Sequence, residues 1–255
     1  MSIYGNNCFT SKKKENIVLS EAELIELQND MLECMIHCEM YNEEDYYNEN
    51  CEYLEEGANL DYRAAFKSGK RKYKEAMKKA KEAIKKKDFK AAKSYTKDMK
   101  NAVSEIEKTI KSIDSTAGSA VFGYFAYGLM NLFEQLVPIT ITYCGTGLTV
   151  AGAAKTAADV TNLMFDASAK VNKLGPILLK AGITTTYAGY VTTIVKSIII
   201  LVKDIKQLIN EIDDKKATTA DKLNLYRTKL LRYCTDLNKN IDKLNKIIEE
   251  REKEN

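Results

Sequence analysis

Apolar residues recur at helical spacing along both flanks of the chain. Between the flanks lies a long stretch with almost no charge. Near the start, Ser20-Glu21-Ala22-Glu23 offers a Ser N-cap with Glu three positions on, and Leu24, Leu27, Met31 and Met35 follow at steps of three and four. That pattern predicts a helix to about Met40. An acidic, Tyr-rich turn and short helix should then end at Gly57, a residue suited to the C′ position. The next helix, opened by Asn59 or Asp61, carries Tyr62, Phe66, Tyr73, Met77, Ala80 and Ile84 on one side and lysines on the other. Its phase breaks around Lys87-Asp88-Phe89, where Asp88 can cap a second helix bearing Ala92, Tyr95, Met99, Val103, Ile106, Ile110 and Ile113. Together they predict an αα-hairpin. The chain closes with a long amphipathic helix opened by Thr219 or Ala220-Asp221. Its apolar seam is Leu223, Tyr226, Leu230, Tyr233, Leu237, Ile241, Leu244 and Ile248, close to a heptad. A seam of this kind is an assembly surface that asks for a partner helix, and the hairpin of residues 62–113 is the natural candidate.

The middle of the chain reads differently. Residues 115–202 hold eight charged side chains: Glu134, Lys155, Asp159, Asp166, Lys170, Lys173, Lys180 and Lys196. Three runs within it, 115–133, 135–154 and 181–202, approach the roughly 20 residues a spanning helix needs, but the first two do so only by counting Gly, Ser, Thr and Asn. Two readings follow. In the first, the runs insert into a bilayer as a helical pore-forming or ejection protein would, with Phe122, Phe125, Leu129, Phe133, Ile198, Ile199, Ile200 and Leu201 as the inserting side chains. The charges between the second and third runs would then form a connection outside the hydrocarbon, where each would otherwise cost about 2.5–3.5 kcal/mol. In the second, the same residues are the core of a helical bundle wrapped by the charged flanks. Pro138 and Pro176 are expected to break the pattern, and the β-branched Ile139-Thr140-Ile141-Thr142-Tyr143 to run locally extended.

With two prolines and twelve glycines in 255 residues, the composition favours helix throughout. The expected fold class is all-α: an elongated helical bundle with a basic hairpin, an apolar Gly/Thr/Ala-rich centre and a coiled-coil-like C-terminal helix. The expected segments are a flexible arm (1–20), an acidic helical segment (21–60), the basic hairpin (61–114), the apolar region (115–203) and the C-terminal amphipathic helices (204–255). The arm shows neither an apolar run nor a small-residue cleavage site after its basic residues, so no secretory signal is expected.

The net charge of +3 hides two opposed blocks. Residues 21–61 hold fourteen acidic side chains and no Lys or Arg; residues 62–111 hold eighteen basic and six acidic ones. Such polarity speaks to assembly, and the simplest expectation is that the two blocks attract, within a chain or between subunits. The Lys-rich face also suits a nucleic acid or an anionic membrane, although Tyr73 and Tyr95 fall on the apolar phase rather than among the lysines, which disfavours base stacking.

Candidate chemistry is sparse. Cys34, His37 and Cys38 lie a helical turn apart with Cys51 downstream, but the paired spacing of zinc ligands is missing, so no metal is expected. The six cysteines are too scattered for a disulfide scaffold and fit a reducing compartment. His37 is the single histidine, which removes the usual base from most hydrolase mechanisms. Gly145-Thr146-Gly147-Leu148-Thr149-Val150-Ala151-Gly152 resembles a phosphate loop, but Ala153 stands where the Lys belongs and Val150 occupies the third Gly position of a dinucleotide fingerprint. The expectation is a protein without enzymatic activity, cofactor or small-molecule substrate.

Asp45 to Arg63 (DYYNENCEYLEEGANLDYR), Lys111 to Phe125 (KSIDSTAGSAVFGYF) and the opening MSIYG resemble a group of uncharacterised structural proteins of large tailed bacteriophages. The resemblance implies a virion component, made in the host cytoplasm and partnered by copies of itself or by other virion proteins. It carries no functional residue over.

Overall fold

The computed structural model describes residues 58–114, 117–144, 156, 160, 174–180, 183, 185–213 and 219–254. The expected helix at residues 20–40, the Cys34/His37/Cys38/Cys51 cluster and the Gly-rich 145–152 stretch lie outside them. Among the described residues there are six α-helices and no strand, so the fold is an all-α helical bundle. The helices are α1 (Ala58–Lys85), α2 (Phe89–Ser112), α3 (Ser119–Cys144), α4 (Leu174–Lys180), α5 (Thr185–Asp213) and α6 (Ala220–Glu254).

The basic hairpin is the product of one three-residue turn. At the end of α1 the Asp88 amide donates to the Ala83 carbonyl (2.9 Å) and the Lys87 amide to that of Ile84 (2.9 Å), a Schellman closure. Lys87 takes the left-handed conformation (φ 57°) that such a closure demands. Asp88 then caps α2, its carboxylate accepting from the Ala91 amide at 2.9 Å. Helix α2 returns antiparallel to α1, fixed by Lys72 on Glu105 (2.8 Å) and by the Tyr62 hydroxyl donating to the Ser112 carbonyl (2.9 Å). Close approach along the hairpin depends on Gly69, where a Cβ would stand 2.7 Å from Ile106 Cγ1.

Helix α3 holds one ionisable acid, Glu134, and no base, and it is buried on nearly every side. A helix apolar all round has to be enclosed by protein or lipid. Here it is enclosed by the chain itself, against α1, α5 and α6. Phe66 of α1 meets α3 where Gly128 leaves space for its ring and stacks near Phe125 (centroids 4.4 Å apart).

Two sequence expectations fail in this helix. Residues 139–143 are helical rather than extended, and Pro138 lies inside α3 rather than ending it. Burial outweighs β-propensity here: Ile139, Ile141 and Tyr143 all enter the core. Thr140 and Thr142 turn their hydroxyls back onto the carbonyls of Leu136 (2.7 Å) and Pro138 (2.9 Å), so both threonine hydroxyls are satisfied inside the helix. Pro176, by contrast, sits in the first turn of α4, which tolerates proline. Helix α5 runs unbroken through position 203, where the sequence suggested a boundary between apolar and charged regions.

Helix α6 organises the bundle. Thr219 caps it, its hydroxyl accepting from the Lys222 amide at 3.4 Å. It runs antiparallel to α2 and α5 and in the same sense as α3, with Phe122 near Tyr226 at one end and Tyr143 near Arg251 at the other.

Candidate functional site

The surfaces nominated from the sequence are an apolar centre and an apolar seam. All eight seam residues, Leu223, Tyr226, Leu230, Tyr233, Leu237, Ile241, Leu244 and Ile248, are buried within the chain. They face α2, α3 and α5, so the partner helix the seam calls for is supplied inside the molecule. Each such Leu or Ile contributes roughly 1.5–3 kcal/mol by burial, which makes the seam a principal source of cohesion.

Polar contacts set the register of α6. Toward α2 they are Lys93–Glu249 (2.5 Å), Lys100–Asp242 (2.6 Å) and Thr96 on Asn245. Toward α5 they are Tyr187 on Glu254 (2.6 Å), Tyr190 on Glu250 (2.7 Å), Asn240 on Ser197 (3.4 Å), Arg232 on Asp204 and Lys229 on Glu211 (2.9 Å). Most are partly exposed and individually worth no more than about 1 kcal/mol. They run along the helix from Lys229 to Glu254, so a one-turn slip of α6 would break the whole series. Two arginines of α6 also close helix ends. Arg227 donates to the Ile113 carbonyl at the end of α2, and Arg251 to the Tyr143 carbonyl at the end of α3, with its guanidinium 5.6 Å from the Phe89 ring centre. A cation at a helix C-terminus complements both the free carbonyls and the dipole.

Of the side chains proposed to insert into a bilayer, Phe122, Phe125, Leu129, Phe133, Ile198, Ile199 and Leu201 are buried in the bundle, whereas Ile200 is 68% exposed. Ile200 lies on the outward stripe of α5 between Lys196 and Lys203. Among the described residues, no helix is long and apolar enough to cross a membrane.

Reactive groups are muted. Burial pushes the Cys144 thiol up to about 12, with the nearby Arg251 opposing and Glu250 adding to the shift. Burial also raises the Cys234 thiol, well beyond the range in which a thiolate forms near neutrality. Tyr73 and Tyr143 are raised by burial, and neither hydroxyl has a hydrogen-bond partner. Tyr233 is raised by burial and by Asp204 beside it. Among the described residues, no group of three His, Cys, Asp or Glu side chains could hold a metal ion.

The lysines that the sequence places on the polar side of α1 resolve into a row. Lys67, Lys70, Lys74, Lys78, Lys81 and Lys85 repeat at steps of three and four, so they line one flank of α1, away from Glu75 and Glu82. That flank is the one beside α3, because Arg63, a turn before Lys67, lies 5.4 Å from the ring centre of Tyr124. Burial, and then Lys85 beside it, lower the Lys81 ammonium below its ordinary range. No protein-family model, curated protein or solved structure matches the chain.

Proposed function

We propose that this protein is a non-enzymatic structural subunit, assembling in several copies through helix packing and acidic-to-basic contacts. The virion of a tailed phage is the setting its sequence resemblance implies. The observation that carries the reading is the enclosure of α3: the most apolar helix is spent on the chain's own core, wrapped by α1, α5 and α6. A chain that consumes its apolar surface internally is left with charge for contacts between copies. The exposed lysines of the turn and of α2, Lys86, Lys87, Lys90 and Lys97, are suited to the acidic residues 21–61 of a neighbouring copy.

The test is sedimentation of the full-length protein in detergent-free buffer across a salt series, beside flotation with neutral and anionic liposomes. A discrete oligomer that loosens with salt, and no flotation, is the expected result. Salt-resistant flotation would instead favour a bundle that opens and inserts α3 and α5 into lipid. A monomer at every concentration would overturn the multicopy reading.

A further inference from the structure

We propose that copies of this chain join end to end, the lysine tip of the α1–α2 hairpin in one copy receiving the acidic residues at the root of α1 in the next. The inference rests on the multicopy reading above and adds to it the polarity of the contact. Lys85, Lys86, Lys87 and Lys90 are all exposed at the tip, and their ammonium groups form no ion pair among the described residues. Lys67, Lys70 and Lys74, nearer the root, already have interaction partners and are no part of this surface. The acids near the tip are Glu82, Asp88, and Glu249 and Glu252 of α6. Asp88 is spent on the α2 cap, and Glu249 and Glu252 face Lys93. The dipole of α1 accounts for one or two cations in its last turn. It does not account for three consecutive lysines with a fourth at the second position of α2.

The complementary charge is Glu52, Glu55, Glu56 and Asp61, around the start of α1. Covalent geometry decides which tip these acids can meet. Helix α1 is 28 residues long, about 40 Å from Ala58 to Lys85. Glu52 stands six positions before Ala58, and six residues fully extended cover at most about 22 Å. The shortfall of roughly 18 Å exceeds a Glu and a Lys side chain together. Glu55 and Glu56 fall further short, and Asp61 is fixed within α1 itself. These acids therefore reach the tip of another copy and not their own.

A two-fold dimer could pair root with tip twice by laying two α1 helices antiparallel, but their middles would then meet. There Arg71, Lys72, Lys78 and Lys79 are exposed and Glu75 is the one acid between residues 62 and 81. Like charges set against one another oppose that arrangement. An end-to-end contact leaves one unused root and one unused tip, so it grows into a ring or a filament.

The experiment is sedimentation velocity of the full-length protein at about 50 mM salt, where exposed charges are weakly screened, over a wide range of concentration. The parent is run beside a tip variant (Lys85→Gln, Lys86→Gln, Lys87→Gln and Lys90→Gln), a root variant (Glu52→Gln, Glu55→Gln, Glu56→Gln and Asp61→Asn) and an equimolar mixture of the two. The parent should pass from monomer to species larger than a dimer. Each variant alone should need about 10- to 100-fold more protein to associate. The mixture should stop at a 1:1 dimer, because one intact root and one intact tip are all that can meet. Thermal melts establish that each variant folds. A parent that stops at a dimer, a variant that assembles like the parent, or a mixture that grows past 1:1 overturns the end-to-end contact and leaves the multicopy reading standing. A parent that stays monomeric overturns both.

Discussion

Single residues show where this fold is tightly specified. Gly128 lies against Phe66, and a Cβ there would stand 2.2 Å from the ring edge, inside a fully buried contact. Ala would gain about 1 kcal/mol of helix propensity but force the ring aside at a cost of about 1–3 kcal/mol. Gly128→Ala should therefore lower stability in urea unfolding, and adding Phe66→Leu should restore part of the loss. Lys87 is the opposite case, a residue with a Cβ held in a left-handed position. Lys87→Gly should raise the unfolding midpoint by an amount equivalent to about 1 kcal/mol; an unchanged or lower midpoint would mean that the turn carries no strain. Tyr73 buries a hydroxyl that meets no partner. Removing it with Tyr73→Phe should stabilise the protein by about 1 kcal/mol, since the group's desolvation is uncompensated.

Among the elements, α6 does most to hold the others in place. The sequence showed its seam and its length, because steps of three and four residues survive any environment. It did not show that Arg227 and Arg251, ordinary polar-face residues by pattern, reach the carbonyl ends of α2 and α3. Those contacts join residues 114 and 108 positions apart, and no local signal marks them. Arg251→Ala should cost about 1.5–3 kcal/mol, the range for a hydrogen bond to a charged donor. Arg251→Lys should recover only part of that cost, because an ammonium cannot reproduce the planar fork. Equal stability of the parent and the Ala variant would remove α6 as the cap of α3. Helix α3 carries the converse lesson. Its Pro and β-branched residues favour a break, yet tertiary burial keeps residues 139–143 helical.

For the molecule as a whole, the buried phenols and thiols give stability a high-pH limit. Burial raises Tyr73, Tyr143 and Tyr233 above the ordinary 10.0, and Cys144 and Cys234 above the ordinary 9.0. Groups with raised values bind protons more tightly when folded. Their stabilisation is complete below the unfolded values and is lost as pH climbs through the folded ones. The urea midpoint should hold up to about pH 9 and fall steeply above pH 10. Tyr73→Phe with Tyr143→Phe should flatten that fall; a parent profile already level to pH 11 would contradict it.

The sequence by itself determined the helical class, the hairpin with its Asp88 cap, the long C-terminal seam and the opposed charge blocks, because each rests on local periodicity or composition. Only the tertiary structure decided that α3 is wrapped by protein, that α5 runs on past residue 203, that α6 finds its partners within the chain, and that Tyr124 of α3 meets Arg63 and Phe66 of α1. The physical reason is the same in each case. Periodicity tells a residue which side of its own helix it occupies, while what stands opposite that side depends on residues far away in the chain.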